Sequence, residues 1–111
     1  MKLPIQITLR GIAHSDAVEA AIRERAAKLE RFHPHVMSCR VVVEFLSKHK
    51  HQGKQFVVRL DIKVPRGEIA VTREQSEDAF VALRDAFDAA RRGLEEHVRR
   101  QRGDVKTRKP G

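Results

Sequence analysis

The sequence predicts an α+β fold with the element order β-α-β-β-β-α, in which a four-stranded mixed sheet carries two helices packed on one face. Four segments alternate apolar and polar residues, which is typical of strands with one buried side. Two longer segments repeat apolar residues every three or four positions, which is typical of amphipathic helices. The 111 residues suffice for one domain and leave no room for a second core, which excludes a two-domain enzyme.

The first strand and the first helix are predicted from residues 3–10 and 16–31. Leucine and isoleucine occupy every second position of the strand. Ser15 and Asp16 offer capping oxygens, and Glu19 follows Asp16 at the spacing of a capping box. The predicted inward face of this helix consists of apolar residues at helical spacing: Val18, Ala21, Ile22, Ala26 and Leu29.

Three further strands are predicted from the return of the two-residue period. They cover residues 37–46, 56–64 and 68–73. The second and third, and the third and fourth, are predicted to form hairpins. Residues 65–67 (Pro-Arg-Gly) predict a tight turn with the glycine in the left-handed conformation. The first and second strands flank a helix, which predicts a parallel pair with a right-handed crossover.

The last helix is predicted to begin at residues 76–78 (Ser-Glu-Asp), which supply a cap and negative charge for the positive end of the helix dipole. Gly103 is predicted to end it. The apolar stripe of this helix steps by three or four for more than five turns, so both Phe80 and Phe87 are predicted to be buried against the strands. The stripe comprises Phe80, Leu83, Phe87, Ala90, Leu94 and Val98.

The charge of the chain favours a polyanionic partner. Lys and Arg number 23 against 15 Asp and Glu, which gives a net charge of +8 and a pI near 10.4. Six basic residues and one acid lie between residues 97 and 111. Residues 1–103 are predicted to form the domain, and residues 104–111 a basic disordered tail with nothing to bury. Nucleic acid is therefore the leading candidate partner.

Several function classes lack their sequence signatures. There is no glycine-rich phosphate loop, no nucleophile elbow and no zinc-protease helix, so the chain is predicted to be no enzyme, with no cofactor and no small-molecule substrate. Because it has no long apolar run, we expect a cytoplasmic protein with no membrane partner. Cys39 is the only cysteine and shares strand parity with Val41 and Val43, which predicts a buried thiol.

Two pairs of histidines offer an alternative reading as a metal-responsive or protein-binding regulatory domain. They are His33 with His35, and His49 with His51. Close histidines can ligate a transition metal, but neither pair has a nearby carboxylate or cysteine, and lysines flank the second pair. The sequence therefore predicts no metal site.

Two common RNA-binding folds are disfavoured by the aromatic and acidic residues. The phenylalanines fall on or beside apolar faces, which predicts no platform for stacking bases and disfavours an RNA-recognition motif. The acidic start of the last helix disfavours a double-stranded-RNA-binding domain, whose last helix begins with lysines. The phenylalanines are Phe32, Phe45, Phe56, Phe80 and Phe87.

The element order, residues 28–32 (Lys-Leu-Glu-Arg-Phe) and residues 77–83 (Glu-Asp-Ala-Phe-Val-Ala-Leu) resemble the ribosome hibernation-promoting factor and ribosome-associated inhibitor A family, also called sigma-modulation or ribosomal subunit interface proteins. The resemblance covers about residues 3–101. It implies a non-enzymatic bacterial stress-response factor that binds the small ribosomal subunit between head and body. Long members carry a further domain that pairs two ribosomes, which we expect this chain to lack.

The resemblance implies a ribosome-associated translation inhibitor that binds rRNA phosphates and occludes the mRNA and tRNA sites by its bulk. Asp78, Arg92 and Leu94 agree with the family pattern, whereas Glu96 and Val98 stand where short members carry lysine. The alternative is a general RNA-binding or RNA-chaperone module, and the free protein is expected to be a monomer. The predicted rRNA-binding residues are the basic residues of the two helices: Lys28, Arg31, Arg84, Arg91, Arg92, Arg99, Arg100 and Arg102.

Overall fold

Four strands and two helices follow one another in the predicted order. The computed structural model describes residues 4–46 and 55–107, and within them all side chains except those of 72–74 and 103–107. The sheet order is β1-β2-β3-β4, with β1 parallel to β2 and the other pairs antiparallel, which confirms the predicted α+β topology. The elements are β1 (Ile5–Arg10), α1 (Asp16–Phe32), β2 (Ser38–Leu46), β3 (Gln55–Val64), β4 (Gly67–Ser76) and α2 (Ala79–Thr107).

The register of the sheet aligns apolar side chains in rows across one face. Val41 of β2 lies opposite Ile7 of β1 and Leu60 of β3, and Leu60 lies opposite Val71 of β4. Residues paired across strands point to the same face, so each row is continuous. Two further rows are Ile5–Cys39–Ile62–Ile69 and Leu9–Val43–Val58. The β2 and β3 members of all three rows are at most 1% exposed, and both helices pack against this face.

Helix α1 begins at Asp16, as predicted, but its capping differs from the predicted capping box. Ser15 is the cap, because its Oγ accepts a hydrogen bond from the backbone N–H of Val18 at 3.2 Å. The predicted capping box is wrong: Glu19 lies one residue too far from Ser15 and instead pairs with Arg23 at 3.3 Å. The predicted inward face is confirmed, with Ala21 half-buried and four residues fully buried: Val18, Ile22, Ala26 and Leu29.

The β3–β4 turn places a residue other than glycine in the left-handed region. Val64 pairs with Gly67, so Pro65 and Arg66 are the two central residues of the turn. Arg66 has φ +71°, and the prediction that Gly67 takes this conformation is wrong. A Cβ on Gly67 would lie 3.0 Å from the ring of His97, so the glycine serves close packing against α2. β4 has ten residues and ends at Ser76, three residues beyond its predicted end.

Helix α2 begins later and ends later than predicted. Asp78 caps it, since its Oδ1 accepts a hydrogen bond from the N–H of Phe80 at 2.8 Å. Ser76 belongs to β4 and accepts from the N–H of Asp78 at 3.1 Å, so the acidic residues precede the helix instead of filling its first turn. The predicted end at Gly103 is wrong, because the helix continues to Thr107. One glycine costs a helix only about 1 kcal/mol and does not stop it.

The predicted tail is therefore helical over its first four residues. Residues 104–107 belong to α2, and the remainder of the tail, residues 108–111, lies outside the described residues. The predicted boundary between domain and tail stays a prediction. Neither helix, within the residues described, has an apolar stretch that could cross a bilayer.

The buried face of α2 is confirmed in its centre and wrong near its ends. Phe80 and Val98 are 47% and 36% exposed, although both were predicted to be buried. Phe80 follows the buried Ala79 and is turned about 100° away from it around the helix. Phe87 points almost the same way as Phe80 but is 4% exposed, because it belongs to the core cluster and lies where α1 passes, in the cleft that Leu29 also lines. The buried residues are Ala79, Ala82, Leu83, Ala86, Phe87, Ala90 and Leu94.

Replacing Phe87 by alanine is expected to destabilise the protein by about 3 kcal/mol or more, because the change leaves a cavity where α2 packs beside α1. Phe80→Ala removes the same ring from an exposed position of the same helix and is expected to cost less than about 1 kcal/mol. Urea denaturation measures both values. Equal costs for the two variants would contradict the buried face described above.

Candidate nucleic-acid interface

The open face of the sheet carries balanced charge. Side chains of alternate parity to the core point away from the helices, and Arg59 of this set lies 3.9 Å from Glu44. Among the side chains that the structure describes, which exclude those of residues 72–74 of β4, this face carries four basic and three acidic residues and so attracts polyanions weakly. The basic residues are Arg10, Arg40, Arg59 and Lys63, and the acidic ones are Glu44, Asp61 and Glu68.

The two helices form a groove that is mainly basic. Gly67 of β4 lies against His97 and Ile69 lies against Gly93, so α2 runs antiparallel to β4. Helix α1 connects the parallel strands β1 and β2 and therefore runs in the same direction as α2. A cleft between them opens, where α1 ends, into a depression of about 510 Å³, and we call the two together the helix groove. Its lining includes five basic and two acidic side chains. These are Arg25, Lys28, Arg91, Arg99 and Arg102, with Asp88 and Glu95.

Four of the eight predicted site residues line the helix groove. They are Lys28, Arg91, Arg99 and Arg102. Arg31, Arg84, Arg92 and Arg100 are exposed on the helices but do not line it. Helical geometry separates the sets, because Arg92 and Arg100 each follow a groove residue by one position and are turned about 100° away. Arg84 is engaged locally and donates to Asp85 Oδ1 at 3.2 Å.

The aromatic residue of the helix groove was missed by the sequence reasoning. Phe32, the last residue of α1, is 67% exposed and lines both the cleft and the depression. The ring of Phe32 is therefore at the surface, whereas the sequence places every phenylalanine on or beside an apolar face. Phe32 lies three residues after the buried Leu29, which made it look like core. Phe32 also follows Lys28 by four residues and Arg25 by seven. This helical spacing places its side chain on the same face of α1 as the two basic residues.

Three histidines lie where the end of α1 approaches α2. The backbone N–H of His33 donates to the carbonyl of Leu29 at 2.8 Å and closes α1. His33, His35 and His97 line a cleft of about 240 Å³ that adjoins the helix groove. Within residues 4–46 and 55–107, His33 and His35 belong to no group of three converging metal-ligand atoms. The pair His49 and His51 lies outside the described residues.

One cluster of potential metal ligands lies at the start of α1. His14 Nε2 is 2.8 Å from Asp16 Oδ1 and 3.6 Å from Glu19 Oε1. Asp16 is 96% exposed, and Glu19 also contacts Arg23. Carboxylates at this position favour the positive end of the helix dipole, so the cluster stabilises the helix start without a metal.

Cys39 is buried, as the sequence predicts. It is 1% exposed in the centre of an apolar row. Burial, together with the negative charge of Asp61, raises the pKa of the Cys39 thiol to about 11. The thiol is consequently protonated at neutral pH and is not available as a nucleophile.

A family model matches the sequence of the chain, and two solved structures match its fold. The family model described as Sigma 54 modulation protein / S30EA ribosomal protein matches residues 5–102. A ribosomal subunit interface protein from Coxiella burnetii superposes with a TM-score of 0.74 and 14% identity, over 86% of this chain and 97% of that one. The Thermus thermophilus Protein Y N-terminal domain gives a TM-score of 0.64 and 18% identity, over 87% of this chain and 99% of that one. No curated protein matches the chain in sequence.

The native protein is expected to react very slowly with a thiol-specific reagent such as DTNB at pH 8, because Cys39 is buried and only the thiolate attacks, while burial raises the pKa of the thiol to about 11. Unfolding in guanidinium should release one fast-reacting thiol per chain. In a Cys39→Ala background, Met37→Cys places a thiol at a position that is 56% exposed and should react fast in the native state. Rapid labelling of native Cys39 would contradict its burial.

Proposed function

Because this chain belongs to the Sigma 54 modulation protein / S30EA ribosomal protein family, we propose that it binds the small ribosomal subunit through rRNA and inhibits translation by occupying the mRNA and tRNA sites. This family consists of ribosome-associated factors and is not an enzyme family. The observation that carries the proposal is the helix groove, with five basic against two acidic side chains. The Coxiella burnetii structure is described as a ribosomal subunit interface protein, which supports a ribosomal partner.

The groove arginines are suited to hold rRNA phosphates. A guanidinium group donates two parallel hydrogen bonds to phosphate oxygens and stays charged at every physiological pH. Arg91 and Arg102 are separated by about 16 Å along the helix axis, a distance that spans several phosphates of one strand. Arg91 is 51% exposed, and its Nε lies 3.9 Å from the carboxylate of Glu95. An exposed ion pair of this length is weak, so Arg91 can exchange Glu95 for an rRNA phosphate at little cost.

Inhibition then follows from occupancy. The only thiol is buried, and the helix groove offers cations and an aromatic ring instead of a nucleophile with a base. The described part of the protein extends 58 × 34 × 17 Å, and where it is bound it excludes other macromolecules from that space. A ribosomal partner also implies a cytoplasmic location.

Replacing Arg91, Arg99 and Arg102 together by glutamine is expected to weaken binding to small subunits by about a hundredfold. Each phosphate contact contributes about 1 kcal/mol or more, and the three losses act together. The slope of log affinity against log salt should become shallower by roughly 2, since fewer counterions are released. Cosedimentation with purified small subunits over a salt series measures both quantities.

The matched control is Arg10, Arg40 and Arg59 replaced by glutamine. These residues lie on the open face of the sheet, and their loss lowers the net charge by the same amount. Binding by this control variant should stay within a few-fold of wild type. Equal losses in both variants would show that total charge, and not the helix groove, determines binding. Displacement from subunits by excess bulk RNA would favour a general RNA-binding module.

Translation by purified components is expected to be inhibited stoichiometrically. An occluding protein acts once per ribosome, so inhibition should saturate near one protein per ribosome and survive chelation of free metal. It should weaken as salt is added, and initiation complexes that already hold mRNA and tRNA should resist it. Complete inhibition far below one protein per ribosome, with a chemically altered rRNA or factor, would contradict occupancy.

A further inference from the structure

Phe32 presents an aromatic ring to solvent where the fold does not need one. The ring is 67% exposed, while the preceding turn of α1 is anchored by Leu29, which is 5% exposed. The N–H of His33 donates to the carbonyl of Leu29 at 2.8 Å and fixes the backbone on the other side of Phe32. The ring therefore contributes little to the core but is carried on a rigid backbone.

The surroundings of Phe32 combine apolar and cationic groups. Pro34 and Val98 line the depression beside the ring, and α2 contributes Arg99 and Arg102 together with one acidic residue, Glu95. We propose that Phe32 is a stacking platform for one unpaired nucleobase of the RNA that the helix groove binds, with the groove arginines holding the adjoining phosphates. This inference rests on the proposed function and adds to it a contact that is made to a base and not to the RNA backbone.

The chemistry favours a nucleotide over an apolar protein segment. A nucleotide has a flat π-face beside a phosphate, and the depression has an aromatic face beside two arginines. An apolar helix or strand would leave Arg99 and Arg102 facing its own apolar surface, which disfavours that partner.

The ring and its bulk can be tested separately. Phe32→Leu keeps an apolar side chain without an aromatic face, and Phe32→Tyr keeps the face. Stacking on one base is expected to make the leucine variant bind small subunits about tenfold more weakly and to leave the tyrosine variant within twofold of wild type. Phe80→Leu removes another exposed ring of the helices that does not line the groove, and it should bind like wild type. Thermal denaturation confirms that each variant is folded.

Two further readouts separate a base contact from a phosphate contact. Phe32→Leu should keep the wild-type salt slope, whereas Arg102→Gln should make that slope shallower. A short single-stranded RNA with 2-aminopurine at its centre reports stacking directly. Its fluorescence should be quenched by the wild type and by Phe32→Tyr, but not by Phe32→Leu.

The outcomes distinguish the inference from the function beneath it. A wild-type protein that fails to bind small subunits overturns the proposed function. Wild-type binding that Phe32→Leu leaves unchanged overturns the stacking inference alone. In a third outcome, Phe32→Leu loses affinity for subunits, but the wild type binds the 2-aminopurine RNA without quenching its fluorescence. This result assigns Phe32 to a contact with a ribosomal protein and also overturns the nucleobase proposal.

Discussion

The position of every functional feature depends on the burial of a single apolar face of the sheet by two helices. The rows through Cys39, Val41 and Val43 are closed to solvent only because α1 and α2 both lie over them. Burying each large apolar side chain of these rows contributes about 1.5 to 3 kcal/mol. Two helices that share one face must pass side by side, and a groove between them is the geometric result. Because their outer surfaces are polar, the groove is lined by whatever charges flank the two buried stripes.

The flanking charges make one surface of the molecule basic and leave the other near balance. On α1 the flank carries Arg25 and Lys28, and on α2 it carries Arg91, Arg99 and Arg102. The helix dipole does not account for this placement, because its effect is confined to the terminal turns, and the basic residue in the last turn of α1 is Arg31, which does not line the groove. Acidic residues remain in the groove, at Asp88 and Glu95, and they limit the attraction to partners that can approach several cations at once.

The topology and most of the core could be predicted from the sequence, because the period of the apolar residues indicates which side chains share a face of a strand or helix. Element ends and single exposed aromatics could not. Phe80 and Phe32 fit the apolar spacing, but burial depends on which neighbour covers each turn, and that is a tertiary property. The sequence predicts the left-handed conformation at Gly67, because glycine adopts it most easily. The pairing of Val64 with Gly67 leaves only Pro65 and Arg66 in the turn, and Arg66 takes that conformation. Periodicity identified the helices that carry the basic residues but not which of those residues meet across the groove.

The length of α2 separates binding from stability. Its 29 residues extend about 43 Å, whereas the ten-residue strands beneath it span about 33 Å, so the last turns of the helix pass beyond the sheet. Leu94 is the last buried residue of the helix among the described side chains, and Arg99 and Arg102 follow it. Those arginines and Phe32 lie around the same depression without supporting the core. The proposed RNA contact on this surface therefore requires no movement of a side chain that holds the fold together.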